Sequence, residues 1–91
     1  LKHRFDYLMM WSSKVYEGLI YSKLDDADKA LESILIGIDN MRRFGDSKLL
    51  AFALESASEI YYETGELEKA YKYLKEAKDM KDAIAKNNIY F

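Results

Sequence analysis

Residues 59–77 read EIYYETGELEKAYKYLKEA. Tyr61, Tyr62, Gly65, Ala70, Leu74 and Ala77 fall at set offsets between two segments of helical period. The glycine suits the left-handed residue that ends a helix. The stretch therefore reads as the end of one helix, a tight turn and the start of the next.

The same reading extends in both directions. Gly45, Gly65 and the acidic pair Asp25–Asp26 punctuate the chain and leave four segments with helical periodicity. They predict helices at 4–22, 25–44, 47–64 and 66–86. In the second, Ala27, Ala30, Leu31, Ile34, Gly37, Ile38 and Met41 form one apolar stripe at three- and four-residue steps. In the fourth, Leu67, Ala70, Leu74, Ala77 and Ile84 do the same. Asp46 or Ser47 is placed to cap the third helix.

A shift of 40 residues lays the chain on itself. Ile20 meets Ile60, Tyr21 meets Tyr61, Lys29 meets Lys69 and Ala30 meets Ala70. Small residues correspond as well, Gly18 with Ser58 and Gly37 with Ala77, as they must where two helices pass closely. That is a repeated helix–turn–helix unit. The expected fold is all-α, two stacked antiparallel hairpins, 1–44 and 45–86, with 87–91 as a tail or the start of a linker. Tyr21, Ala30, Ile34, Tyr61, Ala70, Leu74 and Ala77 are expected in the core.

The second unit resembles the tetratricopeptide repeat, whose pattern runs W-x2-L-G-x2-Y, then alanine, a large apolar residue and proline. Leu54 stands at the tryptophan place, Ala57 at the leucine and Ser58 at the glycine, followed in step by Tyr61, Gly65, Ala70, Leu74 and Ala77. The first unit keeps Gly18, Tyr21, Ala30 and Ile34, with Gly37 at the second small place, but has Lys14 for the tryptophan and Asp25 for the turn glycine. Both units lack the closing proline, and the second has Asp82 there. The resemblance covers residues 11–86 and implies an α-solenoid fragment whose concave face binds extended peptides or helices. The C-terminal run, including MKDAIAKNN at 80–88, is similar to the last repeat helix of bacterial signalling proteins. It implies a sensory or interaction module joined to an effector such as a kinase, a cyclase or a DNA-binding domain.

On the resemblance, the groove would be lined on the first helix by Ser12, Val15, Tyr16, Leu19, Ser22 and Lys23. On the third helix Glu55, Glu59 and Glu63 form an acidic line flanked by Phe52 and Tyr62. Like charges four apart cost about 0.2–0.5 kcal/mol per pair, and Glu63 sits at the negative end of the helix dipole. Two readings stand: a wall for a basic partner, or neutralisation within the fold by Lys23 and other lysines. The acidic line argues against the subclass that grips acidic tails with lysine and asparagine.

Composition narrows the function. Ninety-one residues without proline or cysteine, with a net charge of −2, suit one small helical domain. Without cysteine there are neither disulfides nor thiolate metal sites, and a reduced cytoplasm is the expected setting. The basic residues are scattered, so nucleic acid and acidic lipid are not expected partners. No apolar run reaches the roughly 18 residues of a membrane span. His3 is the single histidine, and DDADKALE at 25–32 lacks the glycine and closing glutamate of a calcium loop. No nucleophile motif or phosphate loop is present, so no catalysis and no cofactor are expected.

LKHRFDYLMMW at 1–11 and NNIYF at 87–91 read as cuts in a longer chain. Met9, Met10, Trp11, Ile89, Tyr90 and Phe91 add apolar surface at the ends, which makes a homodimer a further expectation. Lys72, Lys75 and Lys78 belong on a wet outer face. The leading expectation is a protein- or peptide-binding scaffold. The alternatives are a self-association module, or a fragment of an enzyme whose active site lies outside these residues.

Overall fold

The computed structural model describes the backbone of residues 2–44 and 47–86, and the side chains of residues 9–43 and 47–86. Four helices make up the described chain: α1 (Lys2–Lys23), α2 (Ala27–Phe44), α3 (Ser47–Glu63) and α4 (Leu67–Lys86). No strand occurs among the described residues.

Each turn inside a hairpin is built the same way. After α1, the Asp25 N–H donates to the Ser22 carbonyl and the Asp26 N–H to the Tyr21 carbonyl. After α3, the Gly65 N–H donates to the Tyr62 carbonyl and the Glu66 N–H to the Tyr61 carbonyl. This pair of bonds closes a helix through a left-handed residue. Gly65 takes that place at φ 85°, and Asp25 takes it at φ 59°. Aspartate tolerates the left-handed region better than most side chains, so the missing glycine of the first unit leaves the turn intact. The expected start of the second helix at residue 25 is corrected to Ala27. Asp25 belongs to the turn, and the Asp26 carboxylate caps the new helix by accepting from the Lys29 N–H at 3.2 Å. Gly45 and Asp46 lie outside the described residues.

The repeat extends to side chains. Lys29 lies over the Tyr21 ring at 5.7 Å, and Lys69 over the Tyr61 ring at 5.5 Å. Lys29 pairs with Asp26 at 4.0 Å, and Lys69 with Glu66 at 3.3 Å.

Within each hairpin the two helices pack along their length, α1 on α2 and α3 on α4. The hairpins then stack through α3, which rests mainly on α2 and more lightly on α1. Among the described residues α4 packs its backbone against neither α1 nor α2. The arrangement is therefore two stacked hairpins with an open end, not a ring of four helices.

The core sits where α1, α2 and α3 meet. Val15, Ile34, Met41 and Leu54 are its largest fully buried side chains. Small residues let the backbones close on it. A Cβ at Gly37 would stand 3.0 Å from Val15 Cγ2 and 3.3 Å from the Trp11 carbonyl oxygen. Because α3 is packed by α4 on one side and by the first hairpin on the other, it buries Ala51, Ala53, Ser56, Ala57 and Ser58 as well as its larger residues. In contrast, α4 buries only Ala70 and Ala77.

One ion pair crosses from hairpin to hairpin among the described residues. Arg42 of α2 donates two hydrogen bonds to the Glu76 carboxylate of α4, at 2.5 and 3.0 Å. That bonding holds the Arg42 guanidinium above its ordinary pKa.

Two core expectations need correction. Leu74 is 50% exposed, and Tyr21 is half-buried rather than buried. Leu74 lies on a face of α4 that no helix among the described residues covers, whereas its counterpart Ile34 belongs to the core and is fully buried.

Candidate functional site: the groove between α3 and α4

The open end of the stack carries a groove of about 510 Å³ between α3 and α4. Its α3 wall presents Glu55, Glu59, Tyr62 and Glu63. Its α4 wall presents Leu67, Tyr71 and Leu74, and Ser58 and Ala70 form the floor. The floor is closed by a hydrogen bond from Ser58 Oγ to the Ala70 carbonyl at 2.7 Å. Tyr62, Leu67 and Tyr71 are each more than half exposed. Apolar side chains left open in a contiguous group mark contact surfaces more often than scattered ones do.

The residues expected in a single groove are divided by the structure. Glu55, Glu59, Tyr62 and Glu63 come together in the α3–α4 groove. Tyr16 and Phe52 meet elsewhere, across α1 and α3, with ring centroids 6.1 Å apart. Ser12 and Leu19 are half-buried, and Leu19 packs on the core. Ser22 lines a small cleft between the hairpins with Asp25, Ala27, Ile60, Glu63 and Thr64. Lys23 is exposed at the end of α1.

Val15 is a correction: it is fully buried against Gly37 and cannot face a partner. Its place on α1 turns toward α2 and α3, and a branched aliphatic side chain fills that space. Of the terminal apolar residues, Met9 and Met10 are exposed and Trp11 packs on the core. Ile89, Tyr90 and Phe91 lie outside the described residues.

The acidic line is resolved into two parts. Glu55 pairs with Lys81 of α4 at 2.5 Å. Among the described residues, neither Glu59 nor Glu63 has a basic group within ion-pair distance. Internal neutralisation thus reaches one carboxylate of three, through Lys81 rather than Lys23.

Sequence reasoning missed the α4 wall. The spacing does not single out Tyr71, and it gives Leu67 only a place in the apolar stripe of the fourth helix. The signal was present in the shift of 40, which places Leu67, Tyr71 and Leu74 on Ala27, Leu31 and Ile34. In the first hairpin those residues belong to or pack on the core under α3. Nothing follows α4 among the described residues to cover their counterparts.

Among the described residues no group of three or more His, Cys, Asp or Glu is placed to hold a metal ion. None of their helices is long and apolar enough to cross a membrane. No family model, curated protein or solved structure matches the chain.

Proposed function

We propose that the chain is a non-catalytic scaffold of tetratricopeptide type that binds a protein or peptide, as the interaction part of a longer bacterial signalling protein. One observation carries the reading. The α3–α4 groove is open at the place where the first hairpin is filled by α3. A hairpin of this kind has more apolar surface than it buries by itself, and its neighbour completes it. Here Tyr71 and Leu74 remain half or more exposed, so the second hairpin offers an unused seat.

The test is selection of peptides from a displayed random library on the 91-residue chain, followed by amide chemical-shift mapping. Selected peptides should perturb Tyr62, Tyr71 and Leu74. Leu74→Lys should abolish their capture while leaving the thermal melt unchanged, because Leu74 is outside the core. Capture that survives Leu74→Lys, with no perturbation along the groove, would refute the proposal.

A further inference from the structure

We infer that the occupant of the α3–α4 groove is an amphipathic α-helix whose apolar stripe lies on α4 and whose lysine- or arginine-bearing edge lies on α3. The inference rests on the scaffold reading above and names its partner class.

The shape of the seat comes from the repeat. In the first hairpin the equivalent surface is Val15, Gly18, Leu19, Ala30, Leu31 and Ile34, and a helix, α3, covers it. The second hairpin repeats the turn and the small-residue floor, with Ser58 and Ala70 in place of Gly18 and Ala30. A groove between two helices also offers no free backbone edge to an extended strand, whereas a helix fills it through residues spaced three and four apart. Glu55 to Glu63 spans about 12 Å at the helical rise, roughly two turns of a visiting helix.

The chemistry of the seat differs from the first hairpin on one wall only. Along α3, Val15, Leu19 and Lys23 are replaced by Glu55, Glu59 and Glu63. Along α4 the wall stays apolar and gains bulk, with Ala27 and Leu31 replaced by Leu67 and Tyr71. The helix that fits the first seat presents Leu50, Ala53, Leu54, Ala57 and Ile60, all uncharged. One that fits the second must keep such a stripe toward α4 and turn positive charge toward α3.

The helix ends point the same way. The last turns of α1, α2 and α4 each carry a basic residue, Lys23, Arg42 with Arg43, and Lys86. The last turn of α3 carries none. Glu59 and Glu63 gather negative charge at one end of the groove, at the negative end of the α3 dipole, where a docked cation gains from both carboxylates.

A second copy of this chain fits less well. Stacked head to tail, it would offer α1, on which Lys14 and Glu17 stand where α3 has Leu54 and Ala57. Those two form an ion pair at 3.7 Å, and seating it in the groove would strip it of water and set the Glu17 carboxylate against the acidic wall.

The probe is a fluorescein-labelled amphipathic helix of leucine, alanine and lysine, about five turns long at 3.6 residues per turn, titrated with the 91-residue chain and read by anisotropy. Binding is expected, weaker as salt rises. Replacing the peptide's lysines with glutamates should weaken it at least about tenfold, since like charges then meet at the acidic wall. A central proline, which breaks the helix, should do the same. In the protein, Glu59→Gln with Glu63→Gln should weaken binding about three- to tenfold at low salt and much less at high salt, because an exposed pair contributes modestly and is screened. Tyr71→Ser should weaken it at every salt concentration. Thermal melts of each variant confirm folding.

Equal binding of the glutamate or proline peptide, or binding unmoved by the double glutamine variant, would overturn the inference. So would a dimer in sedimentation that Leu74→Ser dissolves and that excludes the peptide, since the occupant would then be a second copy. Peptides of other chemistry that bind through Leu74 would overturn this inference and leave the scaffold proposal standing. Binding by no peptide through the groove would overturn both.

Discussion

Gly18 of α1 lies so close to Ala30 of α2 that a Cβ on the glycine would stand 2.8 Å from the Ala30 carbonyl oxygen. The side chain of Ile34 blocks the same space. Alanine at 18 would gain about 1 kcal/mol of helix propensity. It would also force α1 and α2 apart, and a backbone oxygen cannot rotate away. Overpacking costs typically about 1–3 kcal/mol. Gly18→Ala is therefore expected to destabilise the fold, read as a lower urea midpoint with an unchanged slope. A midpoint equal to or above that of the parent chain would show the helices free to separate.

Ala77 holds in the second hairpin the small position that Gly37 holds in the first, and it is fully buried. Leucine there should cost about 1–3 kcal/mol, lowering the melting temperature by about 4–8 °C for each kcal/mol in a domain of this size. Lys72 is exposed on the same helix, and Lys72→Leu should leave the melt nearly unchanged. Calorimetry of the two variants side by side checks the burial directly.

Arg42 and Glu76 tie α2 to α4, which do not otherwise pack backbone to backbone among the described residues. The pair is partly exposed, so its coupling should be small despite two-pronged geometry, about 0.5–1 kcal/mol in a double-mutant cycle. Arg42→Met and Glu76→Gln, singly and together, give the cycle. The coupling should shrink as salt rises. A coupling of zero at low salt would assign the stacking to α3 alone.

Tyr61 packs under Tyr73 with ring centroids 5.5 Å apart. Burial pushes its phenol above the ordinary pKa; the Tyr73 phenol adds to the rise and Lys69 opposes it. An acid whose pKa is raised in the folded state favours folding while it stays protonated. That stability is present below the unfolded value of about 10 and is lost as pH rises through the folded one. Tyr61→Phe keeps the ring and removes the proton. Melting temperatures of parent and variant should therefore converge or cross above about pH 10, with the parent falling more steeply. Parallel alkaline limbs would show that the phenol does not feel its burial.

Much of this architecture is legible in the sequence because it is local. Three- and four-residue spacing, three punctuation points and a 40-residue register place the helices and pair them into hairpins. Gly65 and the small residues at 18, 30, 58, 70 and 77 mark the turn and the close approaches, since those places tolerate few side chains. The start of α2 was less legible. An aspartate in the left-handed position looks, in sequence, like an acidic first turn, and only the hydrogen bonds of Asp25 and Asp26 separate turn from cap.

The candidate site depended on what covers what. Periodicity shows that Val15 and Glu55, or Ile34 and Leu74, hold equivalent places on their hairpins. It does not show that the first of each pair is fully buried while the second lines a groove. Nor does it show which lysine meets which glutamate: Lys81 takes Glu55 across two helices, leaving Glu59 and Glu63 unpaired among the described residues. The sequence by itself determined the helices, their turns and their pairing, because each follows from backbone hydrogen bonds and apolar spacing within a few turns of chain. Tertiary structure alone decided which face became core and which became groove, because burial depends on the neighbour that a helix meets in space.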